Sequence, residues 1–238
     1  MFIDFDHRPS DSPFIERVWR SRSLVGGSFY SMAEPNIEIV VARVDGHERV
    51  ILRGPVTRAS MVDCPAGGQW LGIRLRVGTH LPAVETADLI DHRSVALPSD
   101  GRGRFWLANR AWEIPNFDTA ECLVSRLAGA GVMVFEGVVQ RAFEARKSGV
   151  TERSVQRRFV RATGLTQDSL RQIDRARRAA LLLAGGASAL DVVYLMGFFD
   201  QPHLIRALRR WVGPTPGGLL RDEDQLSFLY NSAPLFQL

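Results

Sequence analysis

In the first half of the chain, apolar residues recur with a period of two. Gln69–Val77 (QWLGIRLRV) sets Leu71, Ile73, Leu75 and Val77 against Gly72, Arg74 and Arg76, a strand with one buried and one polar face. Ile37–Val44 (IEIVVARV) and Arg49–Arg53 (RVILR) flank Asp45-Gly46, which predicts a hairpin with a two-residue turn. Gly54-Pro55, Gly67-Gly68, Pro82 and Asp100-Gly101 cut the rest into short pieces. From about Phe14 to Trp112 the pattern predicts a small β-barrel or sandwich, with one short helix at Ala83–Leu89.

After Pro115 the period lengthens to that of a helix. Asp118, followed three residues later by Glu121, predicts an N-cap and a helix TAECLVSRLAGAG that stops at glycine. Two helix–turn–helix units follow. The first is Met133–Arg146, a turn at Lys147–Val150, then Thr151–Thr163, with Thr151 as cap and Val155 and Phe159 facing inward. A long helix from Gln167 to Ala184 leads to the second unit. That is Ser188–Met196, a turn at Gly197, then Asp200–Val212, with Asp200 as cap, Pro202 in the first turn and Leu204 and Leu208 inward. The fold class expected is α+β and multidomain: a β-rich barrel-like domain at 1–115, a linker helix at 116–131, an all-α double helix–turn–helix at 132–221 and a tail at 222–238.

Charge sharpens this division. Residues 1–129 hold 15 Arg against 16 acidic residues; residues 130–221 hold 14 Arg and Lys147 against 7. The tail adds only Asp222, Glu223 and Asp224 before an apolar stretch, LSFLYNSAPLFQL, expected to dock on the protein surface. A basic segment of this kind points to an acidic polymer as partner, nucleic acid first. Of 30 basic residues 29 are Arg, whose planar fork suits phosphates and guanine edges. No apolar run reaches the ~18 residues of a membrane span, and the N-terminus has no secretory pattern, so a cytoplasmic protein is expected. Two cysteines, Cys64 and Cys122, exclude a disulfide scaffold and a multi-cysteine metal module.

SVQRRFVRATG, RQIDRARRAALLL and GFFDQPHLIRALRRWVGPTP, spread over about 90 residues, resemble the DNA-binding region of the AraC/XylS transcription regulators. The resemblance implies two recognition helices, each entering the major groove of double-stranded DNA, held about one DNA turn (~34 Å) apart by the linker helix. Carried over by position, Arg153, Gln156 and Arg157 would read bases from the first helix, and Gln201, His203 and Arg206 from the second. Arg offers a fork to guanine and Gln one to adenine. Arg158, Arg161, Arg209 and Arg210 are expected at phosphates or in local ion pairs. Phe159, Phe198, Leu204, Leu208 and Trp211 are expected core. Two positions depart from the pattern: Leu208 stands where many relatives have phenylalanine, and Val193 where they have alanine.

PNIEIVVARVDG, RGPVT and GQWLGIRLRVG are similar to an N-terminal domain found ahead of some AraC-type regulators, which implies a small β-barrel that binds an effector or dimerises. Trp70, Arg74, Arg76 and Trp106 are the candidate effector contacts, for an anionic or aromatic ligand. Arg74 and Arg76 also fit a solvent-facing strand side. The resemblance favours an activator, with RNA polymerase and a second copy of the chain as further partners. The alternatives are a constitutive regulator whose N-terminal domain only dimerises, and a metal-dependent β-barrel enzyme. For the latter, His47, His80, His92 and Glu85 lack the spacing of a cupin site. Cys64 fits packing better than sensing. No phosphate loop, dinucleotide fingerprint or nucleophile elbow occurs. No enzyme activity, cofactor or metal is expected.

Overall fold

The computed structural model describes residues 3–91, 94–144 and 149–213. Twelve strands and six helices follow in order among them. The strands are β1 (Ile3–Pro9), β2 (Ile15–Ser23), β3 (Gly27–Ser31), β4 (Glu38–Val44), β5 (His47–Arg53), β6 (Ser60–Cys64), β7 (Gln69–Leu75), β8 (Thr79–His80), β9 (Val95–Leu97), β10 (Arg104–Leu107), β11 (Arg110–Glu113) and β12 (Val134–Phe135). The helices are α1 (Ala120–Gly129), α2 (Gly137–Phe143), α3 (Glu152–Thr163), α4 (Gln167–Ala184), α5 (Ala189–Leu195) and α6 (Gln201–Trp211). Lys147, His92 and the tail at 222–238 lie outside the described residues. The α+β class holds: strands occupy the N-terminal half and helices the C-terminal half.

Six strands form one antiparallel sheet in the order β1-β2-β7-β4-β5-β9. β4 and β5 meet at the predicted hairpin, where Asp45 and Gly46 both take positive φ (51° and 74°), as a type I′ turn requires. β10 and β11 form a second such hairpin at Ala108 and Asn109, also both at positive φ. One face of the sheet is apolar: Val18, Ile73, Ile39 and Leu52 are opposed in a row across β2, β7, β4 and β5, all fully buried. They pack with Leu123, Val124 and Leu127 of α1 and with Phe105 and Trp112 of the small hairpin. The opposite face is covered by the β3–β6 ribbon, so the two sides of β7 have different surroundings.

At Gly72 an added Cβ would fall 2.0 Å from the Trp19 indole. The missing side chain lets that ring lie flat across β7, a close approach that only glycine permits inside a strand.

Three local expectations are corrected. The short helix at Ala83–Leu89 is a single 3-10 turn, Thr86–Leu89. Met133–Glu136 does not begin a helix; Val134 and Phe135 instead pair with His80 and Thr79, because β8 offers an open edge to two residues of high strand propensity. Asp118 does not cap α1. The cap position is Thr119, without a side-chain bond, while Asn116 accepts the Asp118 and Thr119 N–H groups. Glu121 is drawn away to Arg8, which holds both carboxylate oxygens at 2.6 and 2.7 Å.

Hydrogen bonding to Arg8 lowers the Glu121 carboxyl from its ordinary 4.5 to about 2. A depressed folded-state value means the contact stabilises fully above pH 4.5 and is lost as pH falls toward 2. Both side chains are about a third exposed (31% and 32%), so solvent screens the pair and the contribution is on the order of 1 kcal/mol. Urea melts of the parent and Glu121→Gln should therefore differ at pH 6, and the difference should shrink steadily as pH falls from 4.5 toward 2. A constant difference would show that packing, not charge, is at work.

Candidate nucleic-acid interface

α3 and α6 are built alike. Each opens on a side-chain cap: Thr151 accepts from the Ser154 N–H at 3.4 Å and Asp200 from the His203 N–H at 2.6 Å. α3 closes at Gly164 in the left-handed conformation (φ 68°), where an added Cβ would meet Ala87 and Ile90 of the N-terminal half at 3.1–3.2 Å. Inward residues lock both helices onto α4: Val155, Phe159 and Ala162 from α3, Leu204, Ala207, Leu208 and Trp211 from α6. Leu208 is fully buried and Val193 half-buried against the same cluster, so the core takes both departures from the family pattern without exposing either. α4 has 18 residues and is therefore ~27 Å long.

The other faces are cationic and open. Arg153, Gln156 and Arg157 of α3 are exposed, as are Gln201 and Arg206 of α6. Arg161 and Arg209, expected at phosphates, are exposed too. None of the five arginines in these two groups has an ion pair among the described residues. Three predicted contacts have local partners. His203 is half-buried; its Nδ1 accepts the Phe199 N–H at 3.3 Å and its ring meets Phe198 edge-on at 5.3 Å. Arg158 pairs with Glu136 at 3.2 Å, and the Arg210 guanidinium lies 5.1 Å over the Trp211 ring. Beside them, Tyr194 and Phe199 are 88% and 90% exposed, which helical periodicity does not single out because both look like core residues in sequence.

The N-terminal half grips this helical array at several points. Ala33 and Ala59 donate backbone N–H bonds, each 2.7 Å, to the Trp211 and Arg210 carbonyls, completing two of the acceptors left open at the end of α6. Arg177, expected only as part of a basic linker helix, is 4% exposed and donates to Glu34 at 2.8 Å. Glu34 in turn lies 2.9 Å from Arg74, which is 2.9 Å from Glu38. Trp19 Nε1–H also donates to Glu38 at 3.2 Å. Burial alone would push the Glu38 carboxyl up and the Arg74 guanidinium down. The mutual attraction among Arg74, Arg53, Glu34 and Glu38 outweighs it, so both stay charged.

Of the four candidate effector contacts, Trp70 and Arg74 line a cavity of about 310 Å3 between this face of the sheet and the β3–β6 ribbon. Arg76 is not among its lining residues; it points to the Ser10 and Ser12 carbonyls. Trp106 lies on the separate β10–β11 hairpin. The sequence did not single out Arg17, Glu34, Glu38 or Trp19, because β3, β4, β7 and α4 come together only in the fold. Cys64 is buried at the cavity wall, and burial raises its thiol above the ordinary range. His47 is exposed beside the β4–β5 turn and His80 buried on β8. The described residues contain no group of three metal-ligating side chains and no helix long and apolar enough to cross a membrane.

Removing the shared carboxylate would leave two buried guanidiniums without it. Glu34→Gln is expected to destabilise the chain by ~3–5 kcal/mol, read by urea denaturation. A loss below 1 kcal/mol would mean that the two arginines do not depend on it.

Residues 145–222 match a family described as a helix-turn-helix domain. Over 91 residues the chain is 38% identical to the HTH-type transcriptional regulator RipA of Corynebacterium glutamicum, an alignment spanning 37% of this chain and 28% of that protein. No solved structure matches the chain. The matched region coincides with the two capped helices and the helix that joins them, so the C-terminal part of the chain carries a helix-turn-helix domain similar to that of AraC-type regulators.

Proposed function

We propose that the protein is a sequence-specific DNA-binding regulator of transcription, acting in the cytoplasm. α3 and α6 would read two neighbouring major-groove segments, and a small-molecule effector at the N-terminal domain would control them. The observation that carries this reading is the pair of capped helices seated on α4, with exposed arginines that have no ion pair among the described residues. Arg157 and Arg206 are the principal base readers, with Arg153, Gln156 and Gln201 beside them. His203 contributes through Nε2, since Nδ1 is engaged. Arg161 and Arg209 serve phosphates.

Effector control draws support from the Arg74–Glu34–Arg177 chain, which runs from the cavity wall into the helix that carries both reading units. The backbone bonds from Ala33 and Ala59 to the end of α6 tie the second unit to the same half of the molecule.

Duplexes selected from a randomised pool, followed by fluorescence anisotropy across a salt series with random DNA as competitor, test the reading. Affinity should fall by roughly 0.9 log units per phosphate contact for each decade of salt. Arg157→Ala and Arg206→Ala should each cost ~1–3 kcal/mol and relax sequence preference. Arg161→Ala and Arg209→Ala should weaken all sequences alike and lower the salt slope by about one. Base preference unchanged in both Arg157→Ala and Arg206→Ala would place recognition on another surface.

A further inference from the structure

The face of the sheet that lines the cavity carries a lateral row of charges. Arg17, Arg74, Glu38 and Arg53 are directly opposed on β2, β7, β4 and β5. Three of the four are matched: Arg74 is 2.9 Å from both Glu34 and Glu38, and Arg53 is 3.8 Å from Glu38. Arg177 takes the other Glu34 oxygen.

Arg17 is the exception. Its side chain is 5% exposed, its Nε has no hydrogen-bond partner, and no carboxylate among the described residues is within ion-pair distance. Its cross-strand neighbour Arg74 carries the same charge, an opposition that repels. Burial, and after it Arg74, draws the Arg17 guanidinium down to about 10 from its ordinary 12.5, and the more distant pull of Glu16 and Glu34 does not make this good. A buried cation with no carboxylate at ion-pair distance is costly, and an apolar or amide side chain of similar length would relieve the cost. No ion pair or Nε hydrogen bond among the described residues therefore calls for arginine here.

The cavity supplies one. Arg17 lies on its wall together with Trp19, Trp70, Phe29, Tyr30 and Val40. Its volume of about 310 Å3 is at the lower end of small-molecule sites, ~300–1,000 Å3. Phe5 stacks on Trp19 at 5.8 Å and fixes that aromatic wall. Glu34 and Glu38 would not repel an anion strongly, because guanidiniums and the Trp19 N–H already occupy them.

We propose that this cavity binds a small organic carboxylate, its apolar body against Trp19 and Trp70 and its anionic end paired with Arg17. This rests on the proposal above that the N-terminal domain holds an effector, and names the chemical class of that effector. The carboxylate completes the charge row, and through Arg74 and Glu34 it lies two ion pairs from α4.

The test uses the full chain, with thermal denaturation and tryptophan fluorescence as readouts. The probes are benzoate, phenylacetate, indole-3-acetate and 4-methyl-2-oxopentanoate, the primary amide of each, and choline as a cation that aromatic walls would otherwise suit. At least one carboxylate should raise the melting temperature with concentration while its amide and choline do not. Arg17→Gln should weaken that binding roughly tenfold or more, and Arg17→Lys less. Ligand-free Arg17→Gln, or Arg17→Met if the first fails to fold, should melt no lower than the parent.

Amides or choline binding as well as carboxylates, or carboxylate binding indifferent to Arg17→Gln, overturns the proposal and leaves effector control standing. So does the absence of carboxylate binding at millimolar concentration, or a marked loss of stability in both ligand-free variants. Carboxylate binding that depends on Arg17 but leaves DNA affinity unchanged upholds the site and removes effector control.

Discussion

One carboxylate ties the two halves of this molecule together. Glu34 accepts from Arg177 of the helical half and pairs with Arg74 of the sheet, and it is itself 9% exposed. Its backbone is fixed by a reciprocal pair of hydrogen bonds with Val56, at 2.7 and 2.8 Å. The residue before it, Ala33, donates to the last carbonyl of α6. The side chain therefore cannot change its pairing without disturbing either the sheet wall or the seat of α6. A shared buried carboxylate is costly to desolvate and costlier to leave half-paired, so its two partners hold one arrangement rather than a spread of them.

The sheet divides its labour between its faces. On one, Val18, Ile73, Ile39 and Leu52 bury apolar surface against α1, each fully buried side chain contributing ~1.5–3 kcal/mol. On the other, the same four strands carry Arg17, Arg74, Glu38 and Arg53. The apolar face supplies the stability that lets the charged face be organised for something other than stability. The strict alternation along β7 makes this possible, since each step along the strand changes side.

What was legible in the sequence was what is decided locally. Asp45-Gly46 dictates its turn, Thr151 and Asp200 cap the helices that follow them, and the 3.6-residue period of Val155 with Phe159 and of Leu204 with Leu208 sets their inward faces. What was not legible depends on distant partners. Arg74 looks like the solvent side of a half-buried strand until the β3–β6 ribbon covers it. Val134 and Phe135 stand at the head of a helical pattern, and only the open edge of β8 draws them into a strand. Glu121 is placed as a capping-box residue, yet Arg8, over a hundred positions away, takes both of its oxygens. Arg177 sits in a run of four arginines in α4, and only the approach of Glu34 distinguishes it from Arg171, which stays exposed.

The way the two halves meet also bears on what kind of control the fold can exert. The N-terminal half touches α3 at its closing glycine and α6 at its last carbonyls. It leaves the outward residues of both helices, from Arg153 to Arg157 and from Gln201 to Arg206, largely uncovered. Among the described residues, then, the N-terminal half does not cover the faces proposed to read DNA. On the proposed reading the variable that matters is instead the relative position of the two helices, because both would have to match groove segments about one DNA turn apart. Contacts at the far ends of α3 and α6, at the middle of α4 and, through the β8–β12 pairing, ahead of α2 all act on that position. On the proposed reading, a charge added beside Arg17 would reach the DNA by shifting how the units sit, since the arginines and glutamines that would read bases are already exposed.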